Sequence, residues 1–140
     1  MAFENPSQEK IFDYLNDAKV IAVVGLSDNP TKTSYAIADL LKKFNYTLYG
    51  VNPKLAGQTV NEIPVVATLA EVPESIDIVD IFRRSEFLPQ VAEDFIKTDA
   101  KVFWAQLGLQ SEEAYEILKE AGKKDVVMNR CIKIELGKRG

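Results

Sequence analysis

The run Val20-Ile21-Ala22-Val23-Val24, stopped by Gly25, constrains this chain more than any other stretch. It is too short for a helix of its own and rich in Val and Ile. Such a run reads as a strand buried on both faces, of the kind found in the middle of a parallel sheet. A polar loop follows Gly25. A helical pattern then opens, with Ile37, Leu40, Leu41 and Phe44 on one face. Strand, glycine, polar turn and helix make up the first unit of a doubly wound α/β domain. At such a turn free backbone N–H groups and the helix dipole face an arriving anion. The turn is therefore expected to hold a phosphate.

Composition sets the outer limits. The 140 residues suit one domain, 1–140, with one sizeable core. Seventeen Lys and Arg against 21 Asp and Glu leave a net charge of −4. That argues against nucleic acid as a partner, because affinity there comes mostly from neutralising phosphates. No apolar run approaches the ~20 residues that span a membrane. Met1–Pro6 lacks the basic start and apolar centre of a signal peptide. The single cysteine allows no internal disulfide and fits a cytoplasmic location. Histidine is absent. This removes Ser-His-Asp and Cys-His catalysis as usually built, and the most versatile general base near neutral pH. It also removes the commonest zinc and iron ligand, and no carboxylate cluster replaces it, so no metal is expected.

Further along, Ser7 caps a helix with Ile11, Tyr14 and Leu15 on its apolar stripe. Tyr46–Val51 reads as the second strand, and 55–64 as a loop with Gly57 and Pro64 as breakers. Val65-Val66 is a short extended piece, and 68–72 a single helical turn. Strands are expected over 76–82, 101–104 and 126–128, with helices capped by Ser85 and by Ser111 between them. Residues 129–134 and a charged tail follow. Alternating strands and helices predict right-handed crossovers and a Rossmann-like doubly wound parallel sheet. About five strands are expected, in the order 3-2-1-4-5, with helices on both faces.

Ligands of such sheets bind beyond the carboxyl ends of the strands, where the strand order reverses. That points to segments 25–35, 52–54, 82–85, 105–108 and 129–131. Against the dinucleotide fingerprint, Gly25 takes the first glycine position, Ser27 the second and Pro30 the third, so one of three matches. The loop carries the hydroxyls of Ser27, Thr31, Thr33 and Ser34 and the ammonium of Lys32. It is either a phosphate cradle or a capped, solvated turn. The end of the second strand discriminates better. An NAD-binding domain places an acid there for the ribose hydroxyls, whereas this chain has Asn52-Pro53-Lys54. A cation favours an extra ribose phosphate, as in NADP or coenzyme A; a surface lysine after a turn is the plain alternative. Arg83 and Arg84 either bind phosphate or pair with nearby acids. Phe103 and Trp104 read as core. Cys131 reads as a buried small apolar residue, although its place beside Arg130 on the ligand side also allows a reactive thiol.

Five segments in order resemble the small stand-alone CoA-binding domain proteins of bacteria: Val-Val-Gly-Leu-Ser at 23–27, Val-Asn-Pro-Lys at 51–54, Asp-Ile-Val-Asp-Ile-Phe-Arg-Arg at 77–84, Trp-Ala-Gln-Leu-Gly at 104–108 and Met-Asn-Arg-Cys-Ile-Lys-Ile-Glu at 128–135. Their fold is similar to the CoA-binding domain of the succinyl-CoA synthetase alpha subunit. The resemblance implies a site for coenzyme A or an acyl-CoA. In it Gly25, Leu26, Ser27 and Asp28 would hold the diphosphate and Lys54 the adenosine end. Ile81, Phe82 and Arg83 would take the adenine side or the pantetheine arm. Thr33, Ser34, Tyr35, Asn52, Pro53, Gln106 and Gly108 complete the expected set by their place on the same edge. A binder or sensor without catalysis of its own is expected. An NADP-dependent oxidoreductase, or a subunit of one, is the alternative, with Tyr35 and Lys32 as its candidate pair. The partner is a small molecule; the oligomeric state and any protein partner stay open, a homodimer included.

Overall fold

The structure, a computed structural model, describes residues 2–139. Helix α1 (Gln8–Asp17) is capped by Ser7, whose Oγ accepts from the Lys10 amide. Strand β1 (Val20–Val24) is buried at every position. Helix α2 (Thr33–Lys43) follows, with Lys42 and Lys43 in its last turn, where cations suit the helix dipole. Strands β2 (Thr47–Val51), β3 (Thr59–Val60), β4 (Ile63–Val66) and β5 (Ile78–Ile81) come next. Then follow α3 (Leu88–Ile96), β6 (Val102–Ala105), α4 (Glu112–Glu120), β7 (Val126–Val127) and α5 (Ile132–Arg139).

The sheet is doubly wound and mostly parallel, as expected, but its strand count and order differ. It has seven strands in the order β3-β4-β2-β1-β5-β6-β7. Expecting five strands in the order 3-2-1-4-5 leaves no strand at 63–66 and sets the 76–82 strand against the second. In fact β4 pairs with β2, and β5 pairs directly with β1. The reason is local. Asn61 and Glu62 adopt left-handed conformations, with φ of 49° and 67°. They turn the chain into a short antiparallel β3–β4 hairpin. Pro64 sits in that hairpin, opposite Thr59 on the strand at the sheet edge. One further expectation fails. Ser85 starts a short 3-10 turn, Ser85–Phe87, and its Oγ accepts from the Gln110 amide rather than capping α3. The charged tail is helical, because Ile132 and Leu136 bury one side of α5.

Alternate residues of each strand feed two cores. Ile21, Val23, Ile78, Trp104 and Val127 pack under α1, α2 and α5. Ala22, Val24, Val79, Ile81 and Phe103 pack under α3 and α4. Trp104 and Phe103 are fully buried core residues. The Trp104 ring nitrogen finds its partner in the Arg130 carbonyl, 2.9 Å away. Among the described residues no helix is long and apolar enough to cross a membrane, and no cluster of three metal-ligating side chains forms.

Candidate functional site

The chain runs β1, β2, β4 in one direction across the sheet and then returns to β5, β6 and β7 on the other side. The reversal falls between β1 and β5. The ladder continues one residue past the strands and aligns their exit loops. The Gly25 amide donates to the Val51 carbonyl at 2.9 Å, Phe82 N to Val24 O at 2.8 Å, and Asn52 N to Val66 O at 2.9 Å. Asn52 then latches two loops together. Its Nδ2 donates to the Leu26 carbonyl at 2.9 Å, while its Oδ1 accepts from Lys54 N at 3.0 Å. The second bond caps the 3-10 turn Pro53–Leu55 and aims Lys54. Gly25 stands at φ +87°, and a Cβ there would lie 2.6 Å from the Phe82 carbonyl oxygen. Only glycine lets the two loops approach this closely.

The first loop spends several of its own amides. Ser34 Oγ accepts from Ser27 N, Ser27 Oγ from Asn29 N, and Asn29 Oδ1 from Thr31 N. The amides at the head of α2 are different. The first helical bond runs from Ala36 to the Lys32 carbonyl, and the cap residue Lys32 offers no side-chain acceptor. The amides of Thr33, Ser34 and Tyr35 therefore precede the helical ladder, at the positive end of the helix dipole.

A cleft of about 520 Å³ opens at the reversal. Gly25, Asn52, Pro53, Lys54, Phe82 and Arg83 line it. Thr68 and Leu69, after β4, and Gln90, Val91 and Asp94, on α3, close its other wall. Gln90 Nε2 donates to Asp94 Oδ1 at 3.2 Å, so this wall offers a paired amide and carboxylate. Among the described residues neither Lys54 nor Arg83 enters an ion pair. The Arg83 guanidinium lies over the Phe87 ring, 4.4 Å from its centre. Two cations on either side of Gly25 in a partly apolar cleft suit a phosphorylated ligand with an apolar part.

The other expected residues lie elsewhere. Leu26 and Ile81 are fully buried, so each can offer only backbone. Ser27, Asp28, Thr33, Ser34 and Tyr35 sit on the first loop and the head of α2, outside the cleft lining. Gly108 donates its amide to Asn129 Oδ1 at 2.7 Å. Gln106 is buried, and its carboxamide is used internally by Asp80 and by the Ile132 amide. Sequence reasoning missed Thr68, Leu69, Gln90 and Asp94. The signal for the first two was Val65-Val66: once that piece is a parallel strand, the residues after it belong to the ligand edge. It also missed Asp80, on β5 beneath that edge. Burial pushes its carboxyl up to about 7, against a smaller lowering by the Gln106 hydrogen bond.

Known proteins share this arrangement of elements. The protein YneT of Bacillus subtilis (strain 168) is 48% identical over 134 residues, covering 94% of this chain and 95% of its own length. The alpha subunit of ADP-forming acetate–CoA ligase I of Pyrococcus furiosus is 29% identical over 120 residues. That match covers 79% of this chain but 26% of the subunit, so the chain spans about a quarter of that ligase subunit. Among solved structures, cell-free ID.343 from Thermus thermophilus superposes with a TM-score of 0.90 at 29% identity, covering 96% of this chain and all of the other. A protein from Pyrococcus horikoshii OT3 gives 0.88 at 30% identity, covering 99% and 98%. Residues 19–137 match the family described as CoA binding domain. With the sequence match reaching from the strand before Gly25 to the last helix, the chain belongs to the CoA binding domain family.

Proposed function

We propose that the protein binds coenzyme A, or an acyl-CoA, in the cleft at the β1–β5 reversal and acts as a binder or sensor without catalysis of its own. The observation that carries this reading is the pair Lys54 and Arg83, two cations on either side of Gly25 that enter no ion pair among the described residues. The phosphorylated adenosine lies between Lys54 and the wall of Thr68, Gln90 and Asp94. The diphosphate crosses Gly25 toward Arg83 and the open amides at the head of α2. The pantetheine arm continues past Phe82 along the edge of β5 and β6. Membership of the family and likeness to a subunit named for CoA support the ligand. The chain has no histidine, the commonest general acid–base near neutral pH, which fits a binder better than a catalyst.

The test is thermal stability with candidate ligands. CoA at ~100 times its dissociation constant should add about 2.7 kcal/mol, a rise of roughly 10 °C. NAD should leave the melting temperature unchanged. NADP is the informative competitor, because it also carries a ribose phosphate; a shift with NADP and none with CoA would replace this reading by the oxidoreductase one.

Lys54 should read the 3′-phosphate. A partly exposed ammonium–phosphate contact is worth roughly 1–3 kcal/mol. Lys54→Ala is therefore expected to weaken CoA binding by about tenfold to a hundredfold. Dephospho-CoA, which lacks that phosphate, should bind the wild type more weakly and be almost indifferent to the substitution. Equal losses for the two ligands in a titration would place Lys54 away from the phosphate.

A further inference from the structure

Asp80 is fully buried, one alternation of the strand below the cleft residue Phe82. Its Oδ1 accepts a hydrogen bond from Gln106 Nε2, and its Oδ2 has no partner among the described residues. Gln106 is itself tied down on both sides. Its backbone amide donates to the Ile81 carbonyl at 3.3 Å, and its Oε1 accepts from the Ile132 amide at 3.4 Å. A single chain of contacts thus runs from Asp80 through Gln106 to the first amide of α5. No lysine or arginine acts on Asp80. Its neighbours across the sheet are Val23 and Trp104.

The titratable groups on the covering helices do not relieve it. Tyr14 of α1 donates to Asp125. Glu135 of α5 is held by Gln8 and Lys138. Tyr35 of α2 and Cys131 before α5 are partly exposed at the rim of this core. A carboxylate in this position has one neutral donor and an unfilled oxygen, so burial favours the neutral acid. Its raised affinity for a proton, near pH 7, agrees with that geometry.

We propose that Asp80 is a proton-linked positioning residue for the anionic ligand at this edge: as the neutral acid it holds Gln106 and the first turn of α5 in place, and binding of the anion keeps a proton on it. The inference rests on the reading that CoA occupies the edge. Two residues of strand separate Asp80 from that edge, roughly 7 Å. A negative charge there is poorly screened, and an anion above it disfavours ionisation below. Binding at a pH where free Asp80 is ionised must therefore take up a proton. CoA affinity should fall as pH rises through 7, by about tenfold for each unit by which the anion raises the carboxyl's proton affinity.

The experiment is isothermal titration calorimetry of wild type and Asp80→Asn with CoA from pH 6 to pH 9, in buffers of differing ionisation enthalpy. Wild type should lose about tenfold more affinity than the variant over this range and should take up a proton near pH 7.5; the variant should not. The ligand's own phosphate monoester titrates near pH 6 and is common to both proteins. The infrared carbonyl band of a protonated carboxyl should appear in ligand-free wild type at pH 6 and be missing from the variant. If CoA binds both proteins with the same pH profile, or the band is absent, the inference is overturned and the CoA reading stands. If CoA binds neither protein at any pH, the CoA reading fails and the linkage falls with it. Should Asp80→Asn not fold, Asp80→Leu, of similar shape and without charge, serves the same comparison.

Discussion

Replacing Gly25 by alanine is expected to remove about 2–5 kcal/mol of stability, read as a lower urea midpoint with an unchanged slope. Two costs combine. At φ +87° an L residue sits in the left-handed region, at about 1–2 kcal/mol. Its Cβ would also stand 2.6 Å from the Phe82 carbonyl oxygen and 3.2 Å from the carbonyl carbon. These are backbone atoms, which cannot swing aside as a side chain does. Displacing them costs a further ~1–3 kcal/mol, as in other overpacked sites. The Phe82 amide is anchored to the Val24 carbonyl at 2.8 Å, so the strain passes into the central β1–β5 pair. Gly57→Ala is the control. Its φ is +85°, but nothing lies within 4 Å of a Cβ there. It should lose only the left-handed cost. Equal losses at the two glycines would mean that the Phe82 backbone yields freely. The comparison also bears on function. Gly25 invites a reading as the point where a ligand's phosphate nears the backbone, yet the close approach in the protein is that of the Phe82 carbonyl. Weaker CoA binding by a Gly25 variant is evidence for a phosphate contact only after this loss of stability is accounted for.

What the sequence makes legible here is what local pattern encodes. The Val20–Val24 run, the serine caps at Ser7 and Ser111, and the buried Phe103-Trp104 pair all follow from short-range periodicity and cap chemistry. What it hides depends on distant partners. Two-residue β3 and four-residue β4 are too short to show a period, and Pro64 reads as a breaker until its place opposite Thr59 is known. Missing β4 removes Thr68 and Leu69 from the ligand edge. The wall from α3 is lost for another reason: Gln90 and Asp94 look like an ordinary polar pair four residues apart on a helix. Helix α5 is disguised by Glu135, which reads as a surface residue but is buried against Gln8, far away in the chain. Asp80 is disguised in the same way. Inside Ile78–Ile81 it resembles the polar member of an alternating strand, and only the central place of β5 between β1 and β6, with a core on each face, shows it to be buried.

That burial sets the second large effect, on stability as a function of pH. The Asp80 carboxyl rises from 3.8 to about 7 on folding, because burial outweighs the Gln106 hydrogen bond. Below about pH 4 it is protonated in folded and unfolded chains alike and adds no cost. Between about pH 4 and 7 the unfolded chain releases the proton while the folded protein keeps it, so stability falls by about 1.4 kcal/mol per pH unit. Above pH 7 both states are ionised, and the cost levels off at about 4 kcal/mol. Asp77 works in the opposite direction. Burial pushes its carboxyl up, but the Val20 and Lys19 amides and the Lys101 ammonium outweigh that and hold it below its usual range. Its contribution is lost as pH falls, and it is the same in wild type and an Asp80 variant. Asp80→Asn should therefore match the wild type near pH 4 and exceed it by up to about 4 kcal/mol at pH 8, in urea unfolding without ligand. The gap should open between those limits and stay constant beyond pH 8. A variant less stable than the wild type at pH 8 would show that the ionised carboxylate finds a compensating donor on its Oδ2 side. A constant gap from pH 4 to 8 would show that Asp80 does not titrate in this range.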